Sequence, residues 1–322
     1  MQYTILGRST LRVSRVAFGT WQLGGDWGPT DEGVAIAAIR RAVDQGVTLF
    51  DTAQAYGFGA SERLLARALE GQSREGLVIA TKGGIRPAEG RVTRDASPAW
   101  MRQGVEASLR ALKAETIDLY QVHWPDPGTP LEDTAGVLAE LVAEGKIGHV
   151  GVSNFDVKQM AEFSSVLPVE TLQPPYHLFR RDIEAEVLPY AESNGIGVLV
   201  YGPLAHGLLG GRLRRSTTFE VDDWRRTSPV FQGESFRRNL DIVAALESFA
   251  RQELGTSIGQ LAVAWTLAHP GVDVAIVGTR DPAHVDDVLA AADLELDEEA
   301  LARIDAIMAG AVPVSGPAPE TF

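Results

Sequence analysis

The chain has 322 residues, 45% of them hydrophobic, enough to bury a large core, and its length suits one α/β barrel domain spanning 1–322. Its 43 acidic and 29 basic residues give a formal net charge of -14, which repels phosphate backbones and anionic lipid, so neither nucleic acid nor a membrane is an expected partner. It contains no cysteine, which excludes disulfides, thiolate metal sites and a cysteine nucleophile and fits a reducing cytoplasm.

The N-terminus, MQYTILGRSTLRVSR, lacks an apolar signal core, and no apolar run approaches the roughly 20 residues of a bilayer span. Its alternating residues Gln2–Val13, turning at Gly7–Thr10, predict a β-hairpin. Strand-like runs then alternate with amphipathic, helix-like runs. The strands are expected at Val16–Gly19, Thr48–Asp51, Leu77–Thr81, Ile117–Val122, Val150–Ser153, Glu170–Gln173, Gly197–Tyr201 and Val274–Gly278. Several are continuous apolar runs, as expected for parallel strands covered on both faces. Helix starts are marked by Ser97–Pro98 and Asp281–Pro282, where a capping side chain precedes a proline. After Ser61, residues Leu64, Leu65, Ala68 and Leu69 form one apolar face.

Eight strand–helix units predict a (β/α)8 TIM barrel, an α/β fold, preceded by the hairpin. A doubly wound sheet would need a glycine-rich G-x-G-x-x-G turn after its first strand, and none follows Phe18. The interval from Tyr201 to Val274 is much longer than the others. It opens with GPLAHGLLGGRLRRSTTFEVDDWRRTSPVFQGESF, a long loop after strand seven that belongs to the active-site rim.

Barrel active sites form at the C-terminal ends of the strands. Asp51 ends strand two, Tyr56 follows in its loop (TLFDTAQAYG), Lys82 ends strand three (LVIATKGG) and His123 ends strand four (IDLYQVHWP). Neighbouring strands lie about 4.8 Å apart, so the four side chains can converge. An ammonium beside a phenol stabilises the phenolate, Asp51 keeps Lys82 charged, and His123 can orient a substrate oxygen. Together they describe a tyrosine general acid protonating a carbonyl oxygen. Each residue alone has an ordinary structural reading; the conjunction at adjacent strand ends favours chemistry.

The sequence resembles the aldo-keto reductase superfamily over essentially its whole length. The resemblance is carried by FDTAQAYG, ATKGG, LYQVHWPD, GKIGHVGVSNF, TLQPPYHLFRR, VLVYGPLAHGLLGG and VAIVGTRDPAHVDDV in order. Within it the chain looks most similar to the bacterial and voltage-channel-subunit-like branches. The resemblance implies an NADPH-dependent reductase of aldehydes or ketones, reversible toward alcohol oxidation, with NADH the alternative coenzyme. It implies Tyr56 as proton donor, Lys82 and Asp51 as its tuning pair, and His123 as the carbonyl-orienting residue. Ser153, Asn154 and Gln173 would hold the nicotinamide carboxamide and Tyr201 would stack on its ring. Thr20 and Trp21 would line the same pocket.

By the same resemblance the pyrophosphate would lie along Gly202–Arg212, with Gly202, Pro203, Leu204, Gly207, Leu209, Gly211 and Arg212 as contacts. Gly278, Thr279 and Arg280 would meet the adenosine 2′-phosphate, with His284 and Asp287 beside them. The chain departs from the family pattern here: Gly278 replaces a lysine of some branches, His284 an arginine or glutamine, Asp287 a glutamate and Val288 an asparagine. Coenzyme preference therefore stays open.

Trp21, Tyr56, Phe58, His123 and Trp124 are the expected substrate contacts, with Trp27 a further candidate wall, and the substrate is a small-molecule carbonyl. A coenzyme-holding regulatory subunit is the alternative class. A metal-dependent barrel lacks paired ligand spacing among the six histidines, so no metal is expected, and no G-x-S-x-G elbow supports a serine hydrolase. The sequence leaves substrate identity and oligomeric state undetermined.

Overall fold

The computed structural model describes residues 1–24, 31–88, 91–220, 223–279 and 281–319. Two short strands, β1 (Tyr3–Ile5) and β2 (Arg12–Ser14), form the expected antiparallel hairpin. The alternation then proceeds as β3 (Val16–Gly19), α1 (Glu32–Asp44), β4 (Leu49–Asp51), α2 (Ala60–Ala68) and β5 (Val78–Gly83). A second hairpin, β6 (Ile85–Ala88) with β7 (Arg91–Arg94), precedes α3 (Pro98–Leu112), β8 (Ile117–Val122), α4 (Leu131–Ala143) and β9 (Ile147–Ser153). The remainder is α5 (Val157–Ser164), β10 (Thr171–Gln173), α6 (Val187–Ser193), β11 (Gly197–Tyr201), α7 (Gly233–Glu253), α8 (Ile258–Ala268), β12 (Val274–Val277), α9 (Pro282–Leu289) and α10 (Glu298–Met308).

The barrel closes in the order β10-β11-β12-β3-β4-β5-β8-β9, all neighbours parallel. The (β/α)8 expectation is met. β3, β4, β5, β10 and β12 are buried at every position, as strands covered by helices outside and side chains inside must be.

The cores separate accordingly. A small cluster of Leu6, Val13, Ala17, Leu49, Val78, Ala80, Leu119, Leu199, Val274 and Ile276 fills the floor of the barrel, with the hairpin residues Leu6 and Val13 plugging it. The larger cluster lies between the strands and the helices. At the floor, a Cβ on Gly7 (φ +54) would come within 2.1 Å of the Gly197 backbone nitrogen, so hairpin and β11 meet backbone to backbone.

Several boundaries differ from those read in the sequence. β5 runs to Gly83, so Lys82 lies inside a strand and not past its end. β9 begins earlier, at Ile147. The hairpin β6–β7 falls between Thr81 and Ser97, where the sequence predicts no strand, because Arg-Pro and Arg-Val-Thr-Arg carry no apolar alternation. The long interval after β11 is mostly helix: α7 begins at Gly233, inside the stretch read as loop. Helix starts match closely: Ser97 accepts from Trp100 N and Asp281 from Ala283 N, each with proline in the first turn.

Candidate active site

The Lys82 ammonium stands at the centre. It is 1% exposed and donates to Asp51 Oδ1 at 2.6 Å and to the Thr52 carbonyl oxygen at 2.9 Å. The Tyr56 hydroxyl oxygen accepts from it at 3.4 Å, and the ammonium lies 5.1 Å from the tyrosine ring centroid. The register explains the meeting. β4 and β5 pair Asp51 with Ala80, so Lys82, two residues further along β5, faces the same way, and β5 and β8 pair Lys82 with Gln121. His123 follows directly, its backbone N–H bonded to the Gly83 carbonyl at 2.9 Å.

Burial lowers the Lys82 pKa from its ordinary value; the Asp51 charge and hydrogen bond oppose that. Burial, helped by the Lys82 charge, holds His123 well below the usual histidine range, so its ring is neutral near pH 7. The Tyr56 ring stacks on Trp21 (centroids 6.3 Å apart, 27° between planes) and meets His123 edge-on at 5.8 Å. Four residues expected to act together are therefore together.

Polar groups extend from this centre across the barrel mouth. Gln173 Nε2 donates to Asp51 Oδ2 at 2.8 Å, and Ser153 Oγ donates to the Gln173 carbonyl at 2.8 Å. Asn154 Nδ2 donates to the His123 carbonyl (3.1 Å) and to Ser153 Oγ (3.0 Å), and its Oδ1 accepts from the Tyr201 hydroxyl at 2.9 Å. Asn154 adopts a positive φ of 62°, a conformation that asparagine tolerates better than most residues. Burial raises the Tyr201 pKa, so its phenol stays protonated. Thr20 is fully buried; its hydroxyl donates to the Asp51 carbonyl at 3.1 Å and accepts from Ser61 at 2.7 Å. Thr20 thus braces the site from behind.

The loop after β11 is glycine-rich for steric reasons. Gly202, Gly207 and Gly211 have φ of 70°, 91° and 70°, and a Cβ on Gly202 would meet nothing within 4 Å. Pro203 and Leu204 begin its turn, and Leu209 is fully buried as its anchor. Arg212 hydrogen-bonds His284, whose other ring nitrogen faces Asp281 at 3.3 Å. A Cβ on Gly278 would lie 2.9 Å from the Gly19 carbonyl oxygen, which explains the missing lysine there. Thr279 Oγ1 accepts from Asp281 N at 3.1 Å, and Asp287 accepts from Ser257 Oγ at 3.5 Å. Arg280 and Trp27 lie outside the described residues. Of the remaining pocket candidates, Phe58 is 40% exposed, and Trp124 carries the Arg94 guanidinium 4.9 Å above its ring.

Two polar residues of this region escape the sequence reading. Gln121, whose Oε1 lies 3.5 Å from Gln173 Nε2, is hidden within an apolar strand. Glu62 is fully buried and accepts from Thr81 Oγ1 at 2.7 Å. Its spacing to Leu65 and Leu69 puts it on the apolar face of α2, the signal that would have found it.

The model of the Aldo/keto reductase family matches residues 15–309. The chain belongs to that family. It is 46% identical over 288 residues to the aldo-keto reductase YhdN of Bacillus subtilis (strain 168), covering 89% of this chain and 87% of the relative. It is 33% identical over 310 residues to the NADH-specific methylglyoxal reductase of Escherichia coli (strain K12), covering 91% and 94%. Among solved structures, the glycerol dehydrogenase AKR11B4 from Gluconobacter oxydans superposes with a TM-score of 0.90 at 41% identity, covering 99% and 98%. This aldo/keto reductase is thus an NAD(P)H-dependent oxidoreductase of carbonyl and alcohol groups. Among the described residues no helix is long and apolar enough to cross a membrane.

Proposed function

We propose that this chain, acting as one barrel domain, reduces aldehydes or ketones with NADPH or NADH and that Tyr56 supplies the proton. The observation that carries the reading is the chain from the buried Asp51 and Lys82 to the partly exposed Tyr56, at 2.6 and 3.4 Å. A phenol has a pKa near 10 and is a weak acid at neutral pH. The adjacent ammonium stabilises the phenolate left after proton transfer, and Asp51 keeps the lysine charged in a site that burial would otherwise neutralise.

The donor set suits a nicotinamide. Ser153, Asn154 and Gln173 offer the donors and acceptors that a carboxamide needs, and the buried Gln121 Nε2 and His123 Nδ1 have no hydrogen-bond partner among the described residues. Tyr201 offers an aromatic face beside them, the open backbone at Gly202 admits a close ligand, and Arg212, held by His284, offers positive charge farther along. When bound, the reduced nicotinamide supplies the hydride for the carbonyl carbon. The chain does the rest. Neutral His123 donates an N–H to the carbonyl oxygen and fixes its direction. Tyr56 transfers its hydroxyl proton to that oxygen, and Lys82 holds the resulting phenolate. Trp21 and Trp124 wall the approach and exclude water.

One relative is named a methylglyoxal reductase and another a glycerol dehydrogenase, which makes small polar carbonyls and polyols the first substrates to try. The test is a parallel fluorescence titration with NADPH and NADH, followed by a carbonyl panel with the tighter coenzyme. Coenzyme oxidation dependent on added carbonyl supports the reading; tight binding without turnover across the panel refutes it in favour of a binding subunit.

A further inference from the structure

The segment carrying Tyr56 is joined to the strand carrying Lys82 by the Gln54 N–H, which donates to the Lys82 carbonyl at 3.0 Å, and, behind the barrel wall, by a buried side-chain hydrogen bond. Glu62 lies six residues after Tyr56, in the first turn of α2, and its Oε1 accepts from the hydroxyl of Thr81, the residue before Lys82. Both Glu62 and Thr81 are 0% exposed. Because side chains alternate along a strand, Thr81 faces the helices while Lys82 faces the barrel interior. Glu62 therefore sits behind the barrel wall at the level of the ammonium.

The loop between is short and self-bonded. Ser61 N donates to the Tyr56 carbonyl at 3.2 Å, and Gly59 N donates to the Gln54 carbonyl at 2.9 Å. A displacement of the first turn of α2 is therefore carried directly to the phenol. A carboxyl in this place is costly unless it serves a purpose, since burial disfavours its charged form and only the Thr81 and Ser108 hydroxyls stand near enough to offset that.

We propose that Glu62 is a positioning residue for the Tyr56–Lys82 pair, tying the phenol's loop to the lysine's strand and supplying a second negative charge, after Asp51, to the ammonium. This rests on the reductase reading above. The charged and titratable groups around the pair are Asp51 from β4, Tyr56 from the following loop, Arg63 from α2, and Tyr120 and His123 from β8 and its end; α3 contributes the uncharged Ser108. Electrostatically, Glu62 acts on Lys82 in the same direction as Asp51, and Lys82 acts on Glu62 in return.

The two contributions separate by substitution. Glu62→Gln keeps an oxygen for Thr81 but removes the charge. Thr81→Val keeps the charge but removes the bond. The chain has only four lysines, so nitrogen-15 lysine labelling resolves the Lys82 ammonium directly, with no need of turnover. In Glu62→Gln the Lys82 titration is expected to move down by about half a pH unit or more, and the alkaline limb of kcat to move with it, with KM and coenzyme Kd unchanged. In Thr81→Val the limb stays in place and kcat falls about tenfold. An unmoved Lys82 titration in Glu62→Gln overturns the proposal. If Glu62→Gln does not fold, wild-type kcat in Thr81→Val overturns it instead. A wild type without Tyr56-dependent reduction counts against the reductase reading alone, since the lysine titration still decides this one.

Discussion

Lys82 and Asp51 form an ion pair at 2.6 Å, with side chains 1% and 5% exposed, beneath the mouth of a closed barrel. Neither charge reaches bulk water, so each depends on the other, and Gln173 shares the second oxygen of Asp51. The pair links fold stability to acidity at the site.

Replacing Asp51 by Asn leaves the ammonium buried without its main counter-charge. Removing one partner of a buried pair costs about 3–5 kcal/mol. Chemical denaturation of Asp51→Asn should show a loss of that order. Lys82 should titrate at lower pH than in wild type. Undiminished stability would mean that solvent reaches the pair.

Acid should destabilise the protein through buried neutral histidines. Burial depresses His123 and His177 well below the usual value and His206 to about 4. The unfolded chain takes up protons near pH 6.5 while these native rings remain neutral. Stability is therefore full above that pH and falls as pH drops through the window toward 4, by about 1.4 kcal/mol per pH unit for each ring. Urea midpoints between pH 7 and 5 test this. His206→Asn, which suits the positive φ of 56° there, should flatten the slope.

Gly7→Ala should disrupt the barrel floor. The new methyl would meet the Gly197 backbone nitrogen at 2.1 Å, and neither backbone can rotate away. A loss of about 2–3 kcal/mol is expected from overpacking and the left-handed φ. Thermal unfolding measures it. Gly71→Ala is the control: its φ is also positive, but the Cβ would meet nothing within 4 Å, so its cost should be smaller.

Arg212→Ala should weaken coenzyme binding about tenfold or more if its guanidinium meets a phosphate, the loss expected of one charge-assisted hydrogen bond. Fluorescence titration with NADPH and NADH distinguishes a shared pyrophosphate contact, which weakens both equally, from a 2′-phosphate contact, which weakens NADPH alone.

The barrel was legible because its strands are continuous apolar runs separated by capped helices. Val16–Gly19, Ile117–Val122 and Gly197–Tyr201 match the structure to the residue. Asp51, Tyr56, Lys82 and His123 were legible because each closes or follows such a run. The hairpin β6–β7 was not, since its pairing is held by backbone hydrogen bonds and leaves no alternating apolar pattern. Helix α7 starts amid glycine and polar residues without a side-chain cap, which masked its beginning. Glu62 and Gln121 were hidden for another reason: a polar residue on an apolar face shows its purpose only when its partner, distant in sequence, is known.

The central claim is that the Tyr56 hydroxyl is the proton donor, and Tyr56→Phe tests it most directly. Single-turnover reduction should slow by about 10²–10⁴-fold while coenzyme Kd and unfolding midpoint match wild type. Reduction at the wild-type rate in Tyr56→Phe, with coenzyme bound, would contradict the account.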